Sequence, residues 1–281
     1  MEQALLIVWR ESVEALLVIG ILYAWLRRQP GPQRTLLHLW AGVGAGLLLA
    51  GLLAALMALA GNWMSGPGGE WFQAGLSLLA CALIMQMVRW MSNNGGQLRQ
   101  QLEQQADKAL QHGRLASLTL LVTLAVAREG SETVIFLYGI SISATPGSLV
   151  LGAGIGLLLG LLCFWLLQIG SRFIAWRQFF LASEILLLLL GSALLMSVVD
   201  RASSQWMAMD LPEHLYAMLS EPMWDSSALL DDGGKLGSLL ASLCGYRAMP
   251  SALHVSLLAY YWLLAWSVMR APRGSLKSRL A

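Results

Sequence analysis

Apolar residues run along this chain in seven blocks, covering roughly 4–26, 35–60, 71–92, 115–141, 148–169, 179–199 and 252–270. A helix needs about 20 mostly apolar residues to cross a bilayer, and the blocks have that length. The pattern predicts an all-α integral membrane protein with seven transmembrane helices. The second block is long, which predicts a tilted helix. Residues 93–114 are rich in Gln and charge and predict a helical connector, while 200–251 reads as one long polar loop.

Composition agrees with this pattern. The chain is 57% apolar and 12% charged, with mean hydropathy +0.63, against about 25% charged for a soluble domain. Residues 1–281 read as a single polytopic domain. Nothing in the charge pattern points to nucleic acid. Of the three cysteines, Cys81 and Cys163 lie in apolar blocks and Cys244 in the polar loop. None has CxxC spacing, so neither a disulfide framework nor a zinc site is indicated. The N-terminus lacks a basic stretch before its first apolar block, so that block is expected to be a retained helix rather than a cleaved signal.

Placement of charge sets the expected orientation. The linkers after blocks one, three and five and the C-terminal tail hold thirteen Lys and Arg, and the opposite side holds only Arg201, Lys235 and Arg247. Basic residues stay on the cytoplasmic side, so the N-terminus is expected outside and the C-terminus inside. The 200–251 loop then faces outward. It carries Asp200, Asp210, Glu213, Glu221, Asp225, Asp231 and Asp232, a mouth that would concentrate cations unless it is simply a solvated loop. Gly42 and Gly46 in block two, and Gly152, Gly156 and Gly160 in block five, have the spacing of close helix packing.

Two charged motifs interrupt this apolar frame. Arg10-Glu11-Ser12-Val13-Glu14 opens block one, and Arg128-Glu129-Gly130-Ser131-Glu132 lies inside block four. A charge at bilayer depth costs about 3 kcal/mol on insertion scales, so such residues usually serve a function. On a helix, positions three and four apart share a face. Glu11 therefore lies beside Glu14, Glu129 beside Glu132, and each arginine can pair with the last glutamate of its motif. A structural salt bridge needs one glutamate per arginine, and each motif has two.

Four carboxylates and two guanidiniums leave a net charge of −2, which suits a multivalent cation. Carboxylates favour hard ions such as ferric iron, Mn²⁺, Mg²⁺ or Ca²⁺. His38 and His254 lie near block ends, which disfavours copper or zinc. Arg10 and Arg128 would hold the neighbouring glutamates in their charged form. Glu184, at the start of block six, is a secondary candidate; it could receive an exiting ion, pair with Arg177 or reach the membrane surface. Gln86, Ser77, Thr119 and Thr123 could line a path or bond between helices. A di-iron enzyme would show Glu-x-x-His spacing, which is missing, so a membrane-embedded metalloenzyme is a weaker reading than a cation carrier for iron or another hard ion such as manganese.

The motifs also mark an inverted repeat. They recur 118 residues apart (128 − 10), in blocks one and four. Blocks 1–3 and 4–6 would then be two copies with three crossings each, so the second copy is inverted. The seventh block stands outside. Such repeats place ion sites near the bilayer midplane.

Paired R-E-x-x-E motifs in the first and fourth of seven spans resemble the oxidase-coupled high-affinity iron permeases of fungi and their bacterial relatives. The outer loop strengthens the likeness through Trp224-Asp225-Ser226-Ser227, Leu229-Leu230, Leu236-Gly237, Gly245-Tyr246-Arg247-Ala248 and Pro250. The resemblance implies iron import across the inner (cytoplasmic) membrane of a bacterium, with Glu11, Glu14, Glu129 and Glu132 as iron ligands and Arg10 and Arg128 in support. Asp225, within the similar loop, is a secondary candidate. Iron would be the transported substrate, with no prosthetic group. The likeness further implies a separate extracytoplasmic oxidase, cupredoxin or iron-binding protein as partner. Ser12-Val13 and Gly130-Ser131 differ from the Gly-Leu common in that family, a difference expected to affect helix contact rather than ligation.

Overall fold

A computed structural model describes residues 1–29, 32–63, 67–94, 98–111, 115–140, 145–169, 176–207, 219 and 221–270, with side chains omitted at a few helix ends. Nine helices are found among the described residues: α1 (Glu2–Leu26), α2 (Pro32–Trp63), α3 (Pro67–Asn94), α4 (Leu98–Gln111), α5 (Leu115–Ile140), α6 (Pro146–Ile169), α7 (Trp176–Met207), α8 (Lys235–Cys244) and α9 (Ala252–Arg270). Proline opens α2, α3 and α6, where its missing N–H costs nothing and its fixed φ suits the first turn.

Five of these, α2, α3, α6, α7 and α9, contain stretches long and apolar enough to cross a membrane. α1 and α5 have 25 and 26 residues. Their Arg and Glu motifs alone keep them from meeting the same standard. The sequence-predicted blocks all lie on helices. Two differences appear in the stretch expected to be one loop at 200–251: α7 continues through Asp200 to Met207, and α8 occupies Lys235–Cys244. Cys244 therefore ends a helix rather than sitting in a polar loop. The expected connector helix at 93–114 is α4.

The chain divides into two compact units. The first contains α1, α2, α4, α5 and α6. One apolar cluster joins Val18, Leu22 and Leu26 of α1, Leu39 of α2, Leu102 and Ala106 of α4, and Leu118, Val122 and Val126 of α5. Leu102 and Ala106 are four apart, so polar α4 closes the cluster with a single stripe. The outer faces of α2 and α6 are bare leucine; Leu48 is 76% and Leu158 67% exposed. Exposed apolar surface on that scale suits acyl chains rather than water.

Glycine lets two helix pairs in this unit approach closely. A Cβ on Gly42 of α2 would lie 2.7 Å from Val122 Cβ and 2.8 Å from the Thr119 carbonyl of α5; on Gly46 it would meet Val126 and the Thr123 carbonyl. On α6, Gly152 faces the Met1 carbonyl and Ala4, Gly156 faces the Leu5 carbonyl and Trp9, and Gly160 faces Ser12. Gly130 faces Ala50. The two sets of contacts match. Adding 118 to an α1 residue and subtracting 110 from its α6 partner (152 − 42) gives the corresponding α5–α2 contact. Thus Ala4–Gly152 becomes Val122–Gly42, and Ser12–Gly160 becomes Gly130–Ala50. The small central residues of both charged motifs are therefore helix-contact points.

These contacts give a controlled test. Gly46→Ala forces a methyl into Val126 and should lower the melting temperature in detergent, since overpacking costs about 1–3 kcal/mol. Gly44, two residues away, has nothing within 4 Å of an added Cβ. Gly44→Ala should leave stability unchanged or raise it slightly, because alanine favours helix by up to about 1 kcal/mol. Equal losses in both variants would contradict the close contact.

The second unit contains α3, α7, α8 and α9. Leu187, Leu188, Leu190, Ala193, Leu194, Met196 and Val199 form the buried face of α7. Tyr261 of α9 donates its hydroxyl to the Leu188 carbonyl at 2.8 Å. Arg201 bonds Gln73 at 2.8 Å and pairs with Glu70 at 3.2 Å, while Trp71 and Trp206 pack with ring centroids 6.1 Å apart.

Candidate metal centre in the first unit

α1 and α5 bring their motifs together. Apolar residues after the α1 motif and before the α5 motif share one cluster, so the helices run antiparallel past each other at the charged turns. Ligand oxygens of Glu11, Glu14 and Glu129 lie within 4.8 Å of one another. All four motif glutamates are buried, at 2% to 9% exposure. Glu132 is not part of the close triplet. Its Oε1 accepts a hydrogen bond from Arg128 Nε at 3.0 Å.

The two arginines are used differently. Arg10 is 2% exposed. It donates from Nη1 to Glu11 Oε1 at 2.7 Å and meets Glu14 Oε1 from Nη2 at 2.5 Å. The expected arginine-to-last-glutamate pair therefore forms in both motifs, and Arg10 also holds its neighbour Glu11. The Arg128 side chain is 43% exposed.

The carboxylates retain unused acceptor capacity. Glu11 Oε2, Glu129 Oε2 and Glu132 Oε2 are buried with no hydrogen-bond donor among the described residues. Glu14 Oε1 lacks a hydrogen bond of good geometry although it touches Arg10. An unsatisfied buried acceptor costs about 1–3 kcal/mol, and the clustered oxygens of Glu11, Glu14 and Glu129 could hold a cation. Three hard oxygen donors suit a hard ion.

Other sequence candidates are not among the clustered residues. Glu184 is half-buried on α7 in the second unit, and the side chain of Arg177, one of its possible partners, lies outside the described residues. Asp225 is fully exposed. Its Oδ1 accepts the Ser227 N–H at 2.8 Å, and that serine holds the carboxyl below its ordinary range. Asp225 thus forms a turn. Thr119 and Thr123 bond between helices: Thr119 Oγ1 to the His38 carbonyl and Thr123 Oγ1 to the Gly42 carbonyl, each at 3.2 Å. Asp210 and Glu213 of the acidic loop lie outside the described residues.

One polar network was not foreseen from sequence. Asp200 Oδ1 meets His254 Nε2 at 2.8 Å, and Ser251 Oγ meets His254 Nδ1 at 2.7 Å. Arg247 bonds Asp200 Oδ2 through Nε at 3.1 Å and also pairs through Nη2. Asp232 Oδ1 accepts the Ala248 N–H at 2.7 Å. Asp200 and Asp232 are thus engaged internally rather than offered at an outer mouth. The available signal was an acid closing one apolar block and a histidine opening the next.

The chain is 29% identical over 290 residues to the ferrous iron permease EfeU of Shigella sonnei, covering 98% of both chains. It is equally similar to that of Escherichia coli O157:H7, and 27% identical to the Yersinia pestis protein of that name over 96% of this chain and 93% of the relative. These relatives are named as permeases, which are transporters and not enzymes. No solved structure matches. A family model covers residues 1–270, taking in both charged motifs and all nine helices, and the chain belongs to the iron permease FTR1 family.

Proposed function

We propose that this chain imports iron across the inner membrane of a bacterium, acting as one polytopic domain with seven spans, the N-terminus outside and the C-terminus in the cytoplasm. The observation that carries the reading is the convergence of Glu11, Glu14 and Glu129 within 4.8 Å inside an apolar helix pair. Iron exchanges its water for these oxygens, with Glu132 as the fourth motif carboxylate and Arg10 and Arg128 balancing charge. An inward-negative potential favours cation entry by about 2.3 kcal/mol per charge per 100 mV. Iron is cargo here, and the resemblance to oxidase-coupled permeases supports a separate extracytoplasmic oxidase, cupredoxin or iron-binding protein as its supplier.

Transport by alternating access between inverted repeats is supported by the matched contacts of α1 with α6 and α5 with α2. The motifs depart from this symmetry. Arg10 is buried, and Arg128 is 43% exposed. Two conformations related by exchange of the repeats would bury each arginine in turn and open the carboxylates to opposite sides.

Radioactive iron uptake by iron-starved cells lacking their own importers tests the function. Wild type should accumulate iron, with manganese competing weakly, and Glu14→Gln at matched membrane abundance should not. Uptake undiminished by that change would reduce the glutamates to helix orientation, and stronger uptake of manganese than of iron would favour a carrier for that ion.

A further inference from the structure

The segment 221–251 is tied to α7 and α9 at two different depths. α9 has 19 residues, about 28 Å at 1.5 Å per residue, no more than the ~30 Å of hydrocarbon it must cross. Its first turn therefore lies at the hydrocarbon edge. His254 in that turn bonds Asp200, which fixes the same level on α7. Just beyond it come the Arg201–Glu70 ion pair and the Trp71–Trp206 contact, as expected of the headgroup layer.

Ser192 lies eight residues before Asp200 on α7, about 12 Å deeper into the hydrocarbon. α8 ends there. Ser192 Oγ donates to the Cys244 carbonyl at 2.9 Å. Gly245, with φ of 72°, packs against the Ser192 carbonyl and Met196, where a Cβ would stand 2.9 Å and 2.7 Å away. The other end of α8 stays at the edge. Asp232 bonds Ala248, the neighbour of Arg247, which pairs with Asp200. A ten-residue helix is about 15 Å long, enough to span that drop.

Irregular backbone at such depth survives only when its polar groups are satisfied within the protein. Here Gly245 N–H bonds the Ala241 carbonyl, Arg247 bonds the Tyr246 carbonyl, Ser226 N–H bonds the Ala248 carbonyl and Met223 N–H bonds the Pro250 carbonyl. Leu236 is 70% exposed and Leu239 and Leu240 are 39% each. Tyr260 and Leu263 of α9, within the same leaflet, are also exposed.

We propose that residues 221–251 are a re-entrant insertion in which α8 dips into one leaflet and rests Leu236, Leu239 and Leu240 against lipid acyl chains. The neighbouring span α9 exposes Tyr260, Leu263, Leu264 and Trp266 in the same way, and a span meets acyl chains with such a face, which makes hydrocarbon the occupant here too.

Bimane labels on Leu236→Cys, Leu239→Cys and Leu240→Cys, with Cys81, Cys163 and Cys244 replaced by alanine, test this in purified full-length protein in lipid nanodiscs. Labels at Leu263→Cys and Glu221→Cys give the lipid and aqueous references. Acyl-brominated lipid should quench each leucine-site label by about half or more of its effect at Leu263, and aqueous iodide should quench them far less than at Glu221. Iodide quenching equal to that at Glu221 would overturn the proposal in favour of a solvated segment. Resistance to both quenchers would overturn it in favour of a face covered by protein, whether a second copy or this chain itself.

Discussion

Iron uptake falls at least about tenfold in Glu129→Gln, and falls further than in Glu132→Gln. The asymmetry comes from geometry rather than from the motifs, which are alike in sequence. Glu129 shares the 4.8 Å cluster with Glu11 and Glu14, whereas Glu132 lies outside it and bonds Arg128. A unit charge about 4 Å from another is worth about 4 kcal/mol at an effective dielectric of 20. A tenfold change in binding needs only about 1.4 kcal/mol, so removing the charge of a proposed ligand should exceed tenfold even after water and neighbouring groups recover most of the loss. Glutamine keeps the shape and one acceptor oxygen, which limits packing damage. The measurement is initial-rate uptake at matched membrane abundance, supported by manganese binding to purified protein followed by electron paramagnetic resonance. Equal losses in the two variants would mean that all four carboxylates ligate together.

Much of this site could be read from sequence because helix geometry is local. Residues three and four apart face the same way in any helix, so the Arg10–Glu14 and Arg128–Glu132 pairs were legible before any tertiary structure. The positions of the long helices were legible for a similar reason, since apolar length alone defines a crossing. Which three of four glutamates converge was not legible. That depends on where α1 and α5 pass each other, which follows from the packing of Val18, Leu22 and Leu26 in one cluster with Leu118, Val122 and Val126. The segment after Asp200 was least legible. Its acids looked like solvent charge, but Asp200 and Asp232 meet partners 54 and 16 residues away, a distance over which local pattern says nothing. α8 was missed because ten residues, mostly Leu, Ser, Gly and Ala, inside a polar stretch are too few to register as a crossing.

Arg10→Leu destabilises the protein more than Arg128→Leu. Arg10 is buried and contacts both Glu11 and Glu14. Removing one partner of a buried ion pair costs about 3–5 kcal/mol, because the remaining charge is left without compensation. Arg128 has 43% of its side chain exposed and bonds one buried carboxylate, Glu132, so its loss strands one carboxylate where the loss of Arg10 strands two. Thermal unfolding in detergent, followed by loss of the monodisperse chromatographic peak, should show a large fall for Arg10→Leu and a smaller one for Arg128→Leu. Adding Glu11→Gln and Glu14→Gln to Arg10→Leu should restore much of the stability, because replacing a whole buried ionic group by neutral residues is often close to neutral. The restored variant should still transport no iron, since the charge that draws the cation is gone. Failure of the added glutamines to restore stability would assign the loss to packing of the Arg10 side chain rather than to its charge.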